Sequence, residues 1–283
     1  MEIVLIKEIL KSHVRSWQRQ GKTIGFVPTM GALHQGHLEL VRIARSQCDV
    51  VVVSIFVNPL QFNNTSDLEK YPRPKEKDEL LLSKENVDLL YSPSQEDFYS
   101  SPAKLMLDFA TLSANLEGKM RPGHFSGVGI VVARLFHLVS PQKAYFGSKD
   151  LQQVAVVRAL VRDLNFDVEI VSCPTIREAS GLAMSSRNSR LSPAGKETAS
   201  NLVKALDLAL QSGPSNPLVG KENAVQFISG FPGIELEYLE WVDCLSMEIW
   251  AGDGIEPNEL AVCLAAWVEG VRLIDNRIVS KRD

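Results

Sequence analysis

Cysteine pairs and metal-binding clusters are missing from this sequence of 283 residues. It contains no Cys-x-x-Cys motif and no Cys/His cluster, and its four cysteines lie far apart in apolar surroundings, at Cys48, Cys173, Cys244 and Cys263. This spacing implies neither a zinc site nor a disulfide framework. It therefore indicates a reduced, cytoplasmic protein.

Long apolar runs and an excess of basic residues are also missing. The longest apolar run, residues 50–57, already includes Ser54 and is far too short to span a membrane. The opening residues, MEIVLIKE, carry acids within their apolar stretch and lack a small-residue cleavage site, so we expect no secretory signal. Thirty Lys and Arg against 34 Asp and Glu give a net charge of −4, which leaves no basic footprint for nucleic acid.

The first 175 residues alternate between strand-like and helix-like segments. The run from Val50 to Val57 is apolar without alternation, which is typical of a parallel strand covered on both faces. Other predicted strands are Lys22–Pro28, Val87–Tyr91, Lys143–Phe146 and Val168–Ser172, and the predicted helices are Gly36–Ser46, Lys75–Lys84, Val128–Val139 and Leu151–Leu164. Such alternation predicts an α/β fold with a doubly wound, Rossmann-like parallel sheet, in which ligands bind beyond the carboxyl ends of the strands.

The pattern changes after Pro174. Ser192 and Pro193 are typical of a helix start, and the helix is expected to run to about Leu210. The Pro- and Gly-rich residues 211–220 predict a surface loop. Two strands without an intervening helix follow, at Leu236–Val242 and Leu260–Val268. We therefore predict two domains, residues 1–175 with the Rossmann-like sheet and residues 176–283 as a smaller α+β domain.

The first loop that follows a predicted strand is PTMGALHQGH, residues 28–37. His34 and His37 flank Gly36 where a helix begins, and a helix N-terminus is a ready anion site. Two imidazoles there add donors aimed at the same place, and Gly31 and Gly36 allow close approach of the backbone. A nucleotide triphosphate would fit this arrangement, although the same histidines could simply be polar residues at a helix start.

The second loop, FVNPLQF, follows the apolar run and carries Asn58 and Gln61. Their amides could donate to a carboxylate or hydroxyl without adding charge, or Asn-Pro could simply mark a turn. The third loop, RPGHFSGVG, contains Arg121, His124 and three glycines. It is either an anion-facing loop or a glycine-rich connection.

The fourth loop, YFGSKDLQQ, places Lys149 and Asp150 before a helix that carries Gln153. Lys149 could offset phosphate charge and Asp150 could accept from ribose hydroxyls, or both could be solvated charges at a helix start. In the fifth loop, residues 184–188 (MSSRN), two hydroxyls and a guanidinium suit phosphate oxygens or form a polar linker. No Walker-type loop and no Gly-x-Gly-x-x-Gly occurs, which argues against P-loop kinases and nicotinamide dehydrogenases.

These five motifs, in this order and spacing, closely resemble the pantoate–β-alanine ligase family. The final segment AVCLAAWVEGVRLIDNRIV is also similar to that family, so the resemblance covers essentially the whole chain. The family belongs to the HIGH-type nucleotidyltransferases related to class I aminoacyl-tRNA synthetases. The HQGH motif resembles their histidine signature, and the MSSR motif is similar to their mobile Lys-Met-Ser-Lys-Ser loop.

The resemblance implies a two-step reaction in which ATP activates pantoate as pantoyl adenylate and β-alanine then displaces AMP to give pantothenate. It implies His37, His34 and Lys149 as the catalytic residues, with His37 as proton donor. Gln61 and Gln153 would bind pantoate, and Gln61 would also contact β-alanine. The implied ATP contacts are Met30, Gly31, Ala32, Leu33, His34, Gln35, Gly36, His37, Gly147, Ser148, Lys149, Asp150, Ile176, Met184, Ser185, Ser186 and Arg187. Many relatives carry Glu where this chain has Ser148, so any role of that side chain is in question here.

The resemblance also implies that Mg²⁺ binds with ATP. The sequence contains no acidic cluster that would indicate a metal site formed by the protein, and the ligands of the metal are unknown. The expected partners are the small molecules ATP, pantoate and β-alanine, without nucleic acid or membrane, and a homodimer is implied because the family usually dimerises. The smaller domain is expected to close over the active site. One alternative is a nucleotidyltransferase that acts on a small phosphorylated alcohol, and another is a nucleotide-binding regulatory module without turnover.

Overall fold

A computed structural model describes residues 1–63 and 65–280, which divide into two units. The first unit consists of residues 1–109, 120–148 and 156–174. The second consists of residues 110–119, 149–155 and the chain from residue 175 onward. Two short segments from the first 175 residues, one after Phe109 and one after Ser148, thus belong to the second unit.

The first unit contains a six-stranded sheet in which every described strand pairing is parallel. Its strands, in the spatial order β1-β4-β3-β2-β5-β6, are β1 (Glu2–Val4), β4 (Leu89–Tyr91), β3 (Val50–Ile55), β2 (Ile24–Thr29), β5 (Lys143–Gly147) and β6 (Glu169–Cys173). The four valines of β3 are 0–2% exposed, because β3 lies between two neighbouring strands and is covered on both faces. The prediction of a Rossmann-like α/β sheet is confirmed.

Helices connect the strands and continue into the second unit. Their bounds are α1 (Lys7–Arg19), α2 (Gln35–Gln47), α3 (Thr65–Glu69), α4 (Lys75–Lys84), α5 (Gln95–Phe98), α6 (Leu116–Met120), α7 (His124–Val139), α8 (Leu151–Asp163), α9 (Pro193–Ala199), α10 (Asn201–Gln211) and α11 (Pro217–Ser229). Helix α7 is apolar around most of its circumference and 12 of its 16 residues are buried, as expected for a helix inside the core rather than on its surface.

The order of the strands reverses between β2 and β5. From β2 the chain proceeds outward through β3 to β4, whereas β5 and β6 lie on the other side of β2. In a doubly wound sheet, ligands bind beyond the carboxyl ends of the strands at such a reversal. The segments that follow Thr29 and Gly147 therefore occupy the expected position of a ligand site.

The second unit contains an antiparallel sheet of β7 (Ile234–Asp243), β8 (Glu259–Val268) and β9 (Val271–Ser280), in that order. One apolar core joins β8 to α10 and α11 and includes Leu206, Ala224 and Trp241. The tight turn between β8 and β9 consists of Glu269 and Gly270, both at positive φ (51° and 71°), as a two-residue hairpin of this type requires.

Two predictions for the second unit are wrong. The helix expected from Ser192 to about Leu210 is broken at Ser200, whose hydroxyl donates to the Glu197 carbonyl while the Asn201 amide donates to the Thr198 carbonyl. These side-chain bonds to nearby backbone carbonyls compete with the regular helical pattern. The loop expected at residues 211–220 instead gives way to α11 at Pro217, because proline is tolerated in the first turn of a helix.

Across the part of the chain that the structure describes, no helix has both the length and the apolar character needed to cross a membrane.

Candidate active site

A sharp turn follows β2 and leads into α2. Gly31 and Ala32 both have positive φ values, 81° and 50°. A Cβ atom at Gly31 would stand 3.0 Å from the Ile55 side chain, so this position needs glycine both for its φ and for space. The Thr29 hydroxyl donates to the Ser54 carbonyl (2.8 Å) and accepts from the Gly31 amide (3.1 Å), which ties the turn to the end of β3.

The two histidines of the motif cap the start of α2. His34 is the N-cap residue, and its Nδ1 accepts from the Gly36 amide at 3.1 Å. Nδ1 of His37 accepts from the His34 amide at 3.4 Å, and the centres of the two rings are 4.1 Å apart. Because each Nδ1 accepts a hydrogen bond, the neutral rings carry their protons on Nε2 and can donate from that atom. The pair therefore places two N–H donors at a helix N-terminus, where the helix dipole also favours an anion.

Gln61 lies beside this turn. Its side chain is buried, and Nε2 donates to the sulfur of Met30 at 2.7 Å while Oε1 accepts from the Asn58 amide at 3.3 Å. A thioether is a weak acceptor, so a carboxylate or hydroxyl oxygen would be a better partner for the Gln61 amide. The structure thus brings Gln61 together with the Met30–His37 motif.

Asn58 has a structural rather than a ligand-binding environment. It is 1% exposed, and its amide donates to the Gly127 carbonyl at 3.0 Å. Its Oδ1 accepts from the Tyr99 hydroxyl (2.9 Å) and from the Leu60 amide (3.2 Å). The hydrogen bonds of the Asn58 side chain stabilise the loop itself. The geometry therefore favours the interpretation that Asn58 marks a turn.

The RPGHFSGVG segment, which includes the start of α7, holds the main chain of Gln61 in place. His124 is buried and its Nδ1 donates to the main-chain carbonyl of Gln61 at 2.7 Å, and Arg121 donates to the same oxygen at 3.3 Å. A Cβ at Gly127 would stand 2.2 Å from the Leu60 carbonyl oxygen, so glycine lets α7 approach the segment of Leu60 and Gln61 closely. These contacts fix the backbone of Gln61.

At the end of β5, Gly147 and Ser148 are the last residues of their segment in the first unit. No heavy atom among the described residues lies within 4 Å of where a Cβ at Gly147 would stand, apart from its neighbours in the chain. The Ser148 side chain is buried. The side of Gly147 that a side chain would occupy is therefore open at the reversal of the sheet order, where a ligand could approach the backbone.

Lys149 and Gln153 belong to the second unit. Between them, Gln152 is buried and bonds in three directions, accepting from the Glu117 amide (2.9 Å) and donating to the carbonyls of Leu112 (2.8 Å) and Asn115 (2.9 Å). Gln153 is half-buried. Of the two consecutive glutamines, Gln152 is thus the structural one.

The segment that carries the MSSR motif is folded back on itself in the second unit. The Met184 amide donates to the Ile176 carbonyl at 2.9 Å, which brings these two predicted ATP contacts together. The Ser185 hydroxyl accepts from the Arg187 amide at 3.2 Å and caps a short 3₁₀ helix, Ser186–Arg190. Asp150, Ser186 and Arg187 are partly or largely exposed.

Three residues outside the predicted site hold these motifs in place. They are Asp78, which accepts from the turn after β2, Asn276, which donates to the Lys149 carbonyl, and Gln152. Their supporting role does not show in the sequence, because each acts on backbone groups that are remote along the chain.

Carboxylates do not gather into a metal site in the described part of the chain. No group of three or more His, Cys, Asp or Glu side chains is placed there to hold a metal ion.

A parallel sheet with a histidine-bearing helix start at its order reversal defines a nucleotide-binding α/β protein. Comparison with known sequences then specifies the family. The family model described as pantoate-beta-alanine ligase matches residues 2–278, and the chain belongs to this family.

Individual relatives are similar to this chain over nearly the full length of both proteins. The chain is 48% identical to the pantothenate synthetase of Cytophaga hutchinsonii over 95% of this chain and 96% of the relative, and 46% identical to that of Thermotoga petrophila over 99% and 100%. Its structure is similar to that of a pantothenate synthetase from Thermus thermophilus, with a TM-score of 0.90, 41% identity and coverage of 98% of this chain and 99% of the other.

A further similar structure is the pantoate-beta-alanine ligase of Francisella tularensis in complex with beta-gamma ATP and beta-alanine. The TM-score is 0.82 and the identity is 37%, over 100% of this chain and 98% of the other.

Proposed function

We propose that this protein condenses pantoate with β-alanine at the expense of ATP, giving pantothenate, AMP and pyrophosphate through a pantoyl-adenylate intermediate. One observation carries the proposal: at the reversal of the sheet order, the neutral amide of Gln61 contacts Met30, which opens the turn that leads to the histidine pair. Membership of the pantoate-beta-alanine ligase family supports it, as does the complex of the Francisella tularensis relative with beta-gamma ATP and beta-alanine.

In the first step, a pantoate carboxylate oxygen forms a bond to the α-phosphorus of ATP and the bond to pyrophosphate breaks. A carboxylate is already a nucleophile and needs no general base. The barrier lies in bringing an anion to a polyanion, so the site must offset charge and fix geometry. The Nε2–H groups of His34 and His37, together with the N-terminus of α2, are suited to phosphate oxygens as negative charge develops.

We assign the ATP contacts to the histidine motif, to the segment after β5 and to Ile176 with the MSSR segment. The residues are Met30, Gly31, Ala32, Leu33, His34, Gln35, Gly36, His37, Gly147, Ser148, Lys149, Asp150, Ile176, Met184, Ser185, Ser186 and Arg187. Among them, His37 is proposed as proton donor, with His34 beside it. Lys149 and Arg187 supply the cations that a triphosphate requires.

In the second step, the β-alanine amine attacks the acyl carbon of pantoyl adenylate. The new C–N bond forms, the bond to AMP breaks, and the amine loses a proton. We propose that Gln61 and Gln153 bind pantoate and that Gln61 also contacts β-alanine. A glutamine suits this role because its amide recognises hydroxyl and carboxylate groups without acting as a competing nucleophile.

Mg²⁺ is proposed to accompany ATP and to neutralise phosphate charge. The described residues supply no carboxylate cage for it. The part played by this chain is therefore to position the nucleotide, and no step of the proposed reaction is assigned to a protein-held metal.

The decisive experiment is an AMP-release assay with ATP, pantoate and β-alanine, from which each substrate is omitted in turn. The proposal requires AMP only when all three are present, and pantoate-dependent exchange of pyrophosphate into ATP without β-alanine. Exchange driven equally well by a small phosphorylated alcohol would favour the plain nucleotidyltransferase, against which the neutral amide of Gln61 argues. ATP binding without any exchange would favour a regulatory module.

Three further proposals concern the setting of the enzyme. A homodimer is proposed because members of the family usually dimerise, and light scattering of the purified protein tests it. A cytoplasmic location is proposed because the four cysteines are buried and present as thiols, which suits a reducing compartment. A closing movement of the part from residue 176 onward is also proposed, and small-angle scattering with and without ATP and pantoate tests it.

A further inference from the structure

One buried carboxylate lies directly against the turn that carries the histidine motif. Asp78 is 1% exposed and lies in the first turn of α4, where its own amide donates to the Pro74 carbonyl. Its side chain leaves the helix. Oδ2 accepts from the Ala32 amide at 2.7 Å and Oδ1 accepts from the Leu33 amide at 2.8 Å, across 46 and 45 residues of sequence.

These two bonds stabilise a conformation that the turn would otherwise resist. Gly31 and Ala32 are consecutive residues at positive φ, and such a conformation is unusual for alanine. Successive amides in a turn of this kind point into a common concavity that attracts an anion. Here the carboxylate of Asp78 fills that concavity, so the amides of Ala32 and Leu33 are directed at Asp78.

The same turn sets the positions of both histidines. Leu33 immediately precedes His34, the N-cap residue of α2, and the His34 amide donates to Nδ1 of His37. Leu33 itself is 4% exposed, so its side chain is anchored in the core. A shift of the Leu33 backbone would therefore move the His34 ring directly and the His37 ring through its bond to the His34 amide.

We infer that Asp78 is a positioning residue for the adenylation step: it acts through the Ala32 and Leu33 amides to fix the His34–His37 pair. The inference rests on the proposed function. Two other roles fit the geometry less well. A carboxylate that only complemented the dipole of α4 would not direct both oxygens at a remote turn. Asp78 also lines a cavity of about 330 Å³ with Met30 and Gly31, but both of its oxygens are already engaged.

Ionisation is essential to this role, although burial opposes it. Burial raises the pKa of the Asp78 carboxyl above its ordinary value, and the bonds from the Leu33 and Ala32 amides and the nearby Lys77 offset only part of this rise. An ionised carboxylate can accept on both oxygens, whereas an amide of the same shape can accept on only one. In Asp78→Asn, the –NH2 group would face one of the two backbone amides as a second donor.

The first test compares Asp78→Asn with Asp163→Asn, which changes an exposed aspartate of the same unit. Pantoate-dependent pyrophosphate exchange, the thermal midpoint and hydrogen exchange of single backbone amides are measured for each. In Asp78→Asn we expect kcat to fall at least about tenfold, in line with the sensitivity of catalysis to small misplacements. We expect faster exchange at the Ala32 and Leu33 amides and a smaller change in the ATP KM, whereas Asp163→Asn should match the wild type.

A folded Asp78→Asn protein with kcat within twofold of the wild type would overturn the inference, as would unchanged protection of the two amides. If Asp78→Asn fails to fold, Ala32→Val decides the question, because a β-branched residue opposes positive φ while leaving the carboxylate intact. It should lower kcat in the same way, and normal kcat in that variant would also contradict the inference. A wild type without any pantoate-dependent exchange would instead refute the proposed function, and the amide protection would still report on the turn.

Discussion

The side-chain amide of Asn276 donates to the main-chain carbonyl of Lys149 at 2.9 Å, so the last strand of the second unit holds the lysine that we assign to ATP. Asn276 is itself fixed by its neighbours. Its own amide donates to Oδ1 of Asp275 (2.8 Å) and its carbonyl accepts from Arg177 (3.2 Å), which also forms a two-pronged ion pair with Asp275. The network places Lys149 and the segment that begins at Ile176 in one hydrogen-bonded group.

Replacing Asn276 with alanine should therefore disturb ATP binding without removing any group that touches ATP. We expect kcat/KM for ATP to fall about tenfold, which corresponds to about 1.4 kcal/mol, roughly the value of one hydrogen bond whose partner is left unpaired. Steady-state kinetics with varied ATP measures the effect. Asn258→Ala, at an exposed position of the same unit, serves as the control. Equal kcat/KM values for the two variants would show that the Lys149 backbone needs no such support.

His37→Ala should lower the rate of adenylate formation far more than it weakens ATP binding. An imidazole at a helix start can follow charge that develops in the transition state, and losses of about 10²-fold or more are typical for a positioned proton donor. Single-turnover formation of pantoyl adenylate and equilibrium binding of ATP separate the two effects. His13→Ala, on the remote helix α1, controls for loss of a histidine. An unchanged single-turnover rate in His37→Ala would remove His37 from the mechanism.

Gln61→Glu tests whether the pantoate site depends on a neutral amide. The substitution keeps the size of the side chain and replaces its donor with a negative charge that repels the pantoate carboxylate. We expect the KM for pantoate to rise at least about tenfold, and more than the KM for ATP. Gln20→Glu, on the exposed end of α1, provides the same charge change elsewhere. If the pantoate KM responded equally in both variants, Gln61 would not be a pantoate contact.

The sheet and the main motifs could be predicted from the sequence because their signals are local. The Val50–Val57 run identifies a buried parallel strand by itself, and HQGH identifies a helix start with two donors. The place of Gln61 after a central strand made it a candidate, and its role in binding pantoate is implied by the resemblance to the family. In each case the residue type and its neighbours within about one turn or strand carry the information.

The supporting residues could not be predicted because their partners are backbone groups far away in the chain. Asp78 looks like an ordinary acid in the first turn of a helix until its bonds to Ala32 and Leu33 are seen. Asn58 and Gln61 look alike in sequence as neutral amides after β3. Only the hydrogen bonds with Tyr99 and Gly127 show that the Asn58 side chain has a structural role. The break at Ser200 has a different, local cause, because it depends on a side-chain bond to the Glu197 carbonyl that competes with the helix.

The four cysteines should be unreactive in the folded protein. Burial raises the pKa of Cys173 to about 11 and that of Cys263 well above its usual range, and Cys48 and Cys244 are also buried. Because only the thiolate reacts, alkylation by iodoacetamide at pH 8 should be at least about 100-fold slower than for an exposed thiol. It should accelerate as the pH rises toward 11, since the thiolate fraction of Cys173 grows. Mass spectrometry of the native protein, with a denatured sample as control, should show labelling of all four only after unfolding. Rapid native labelling of Cys173 would show that the strand end at β6 opens to solvent.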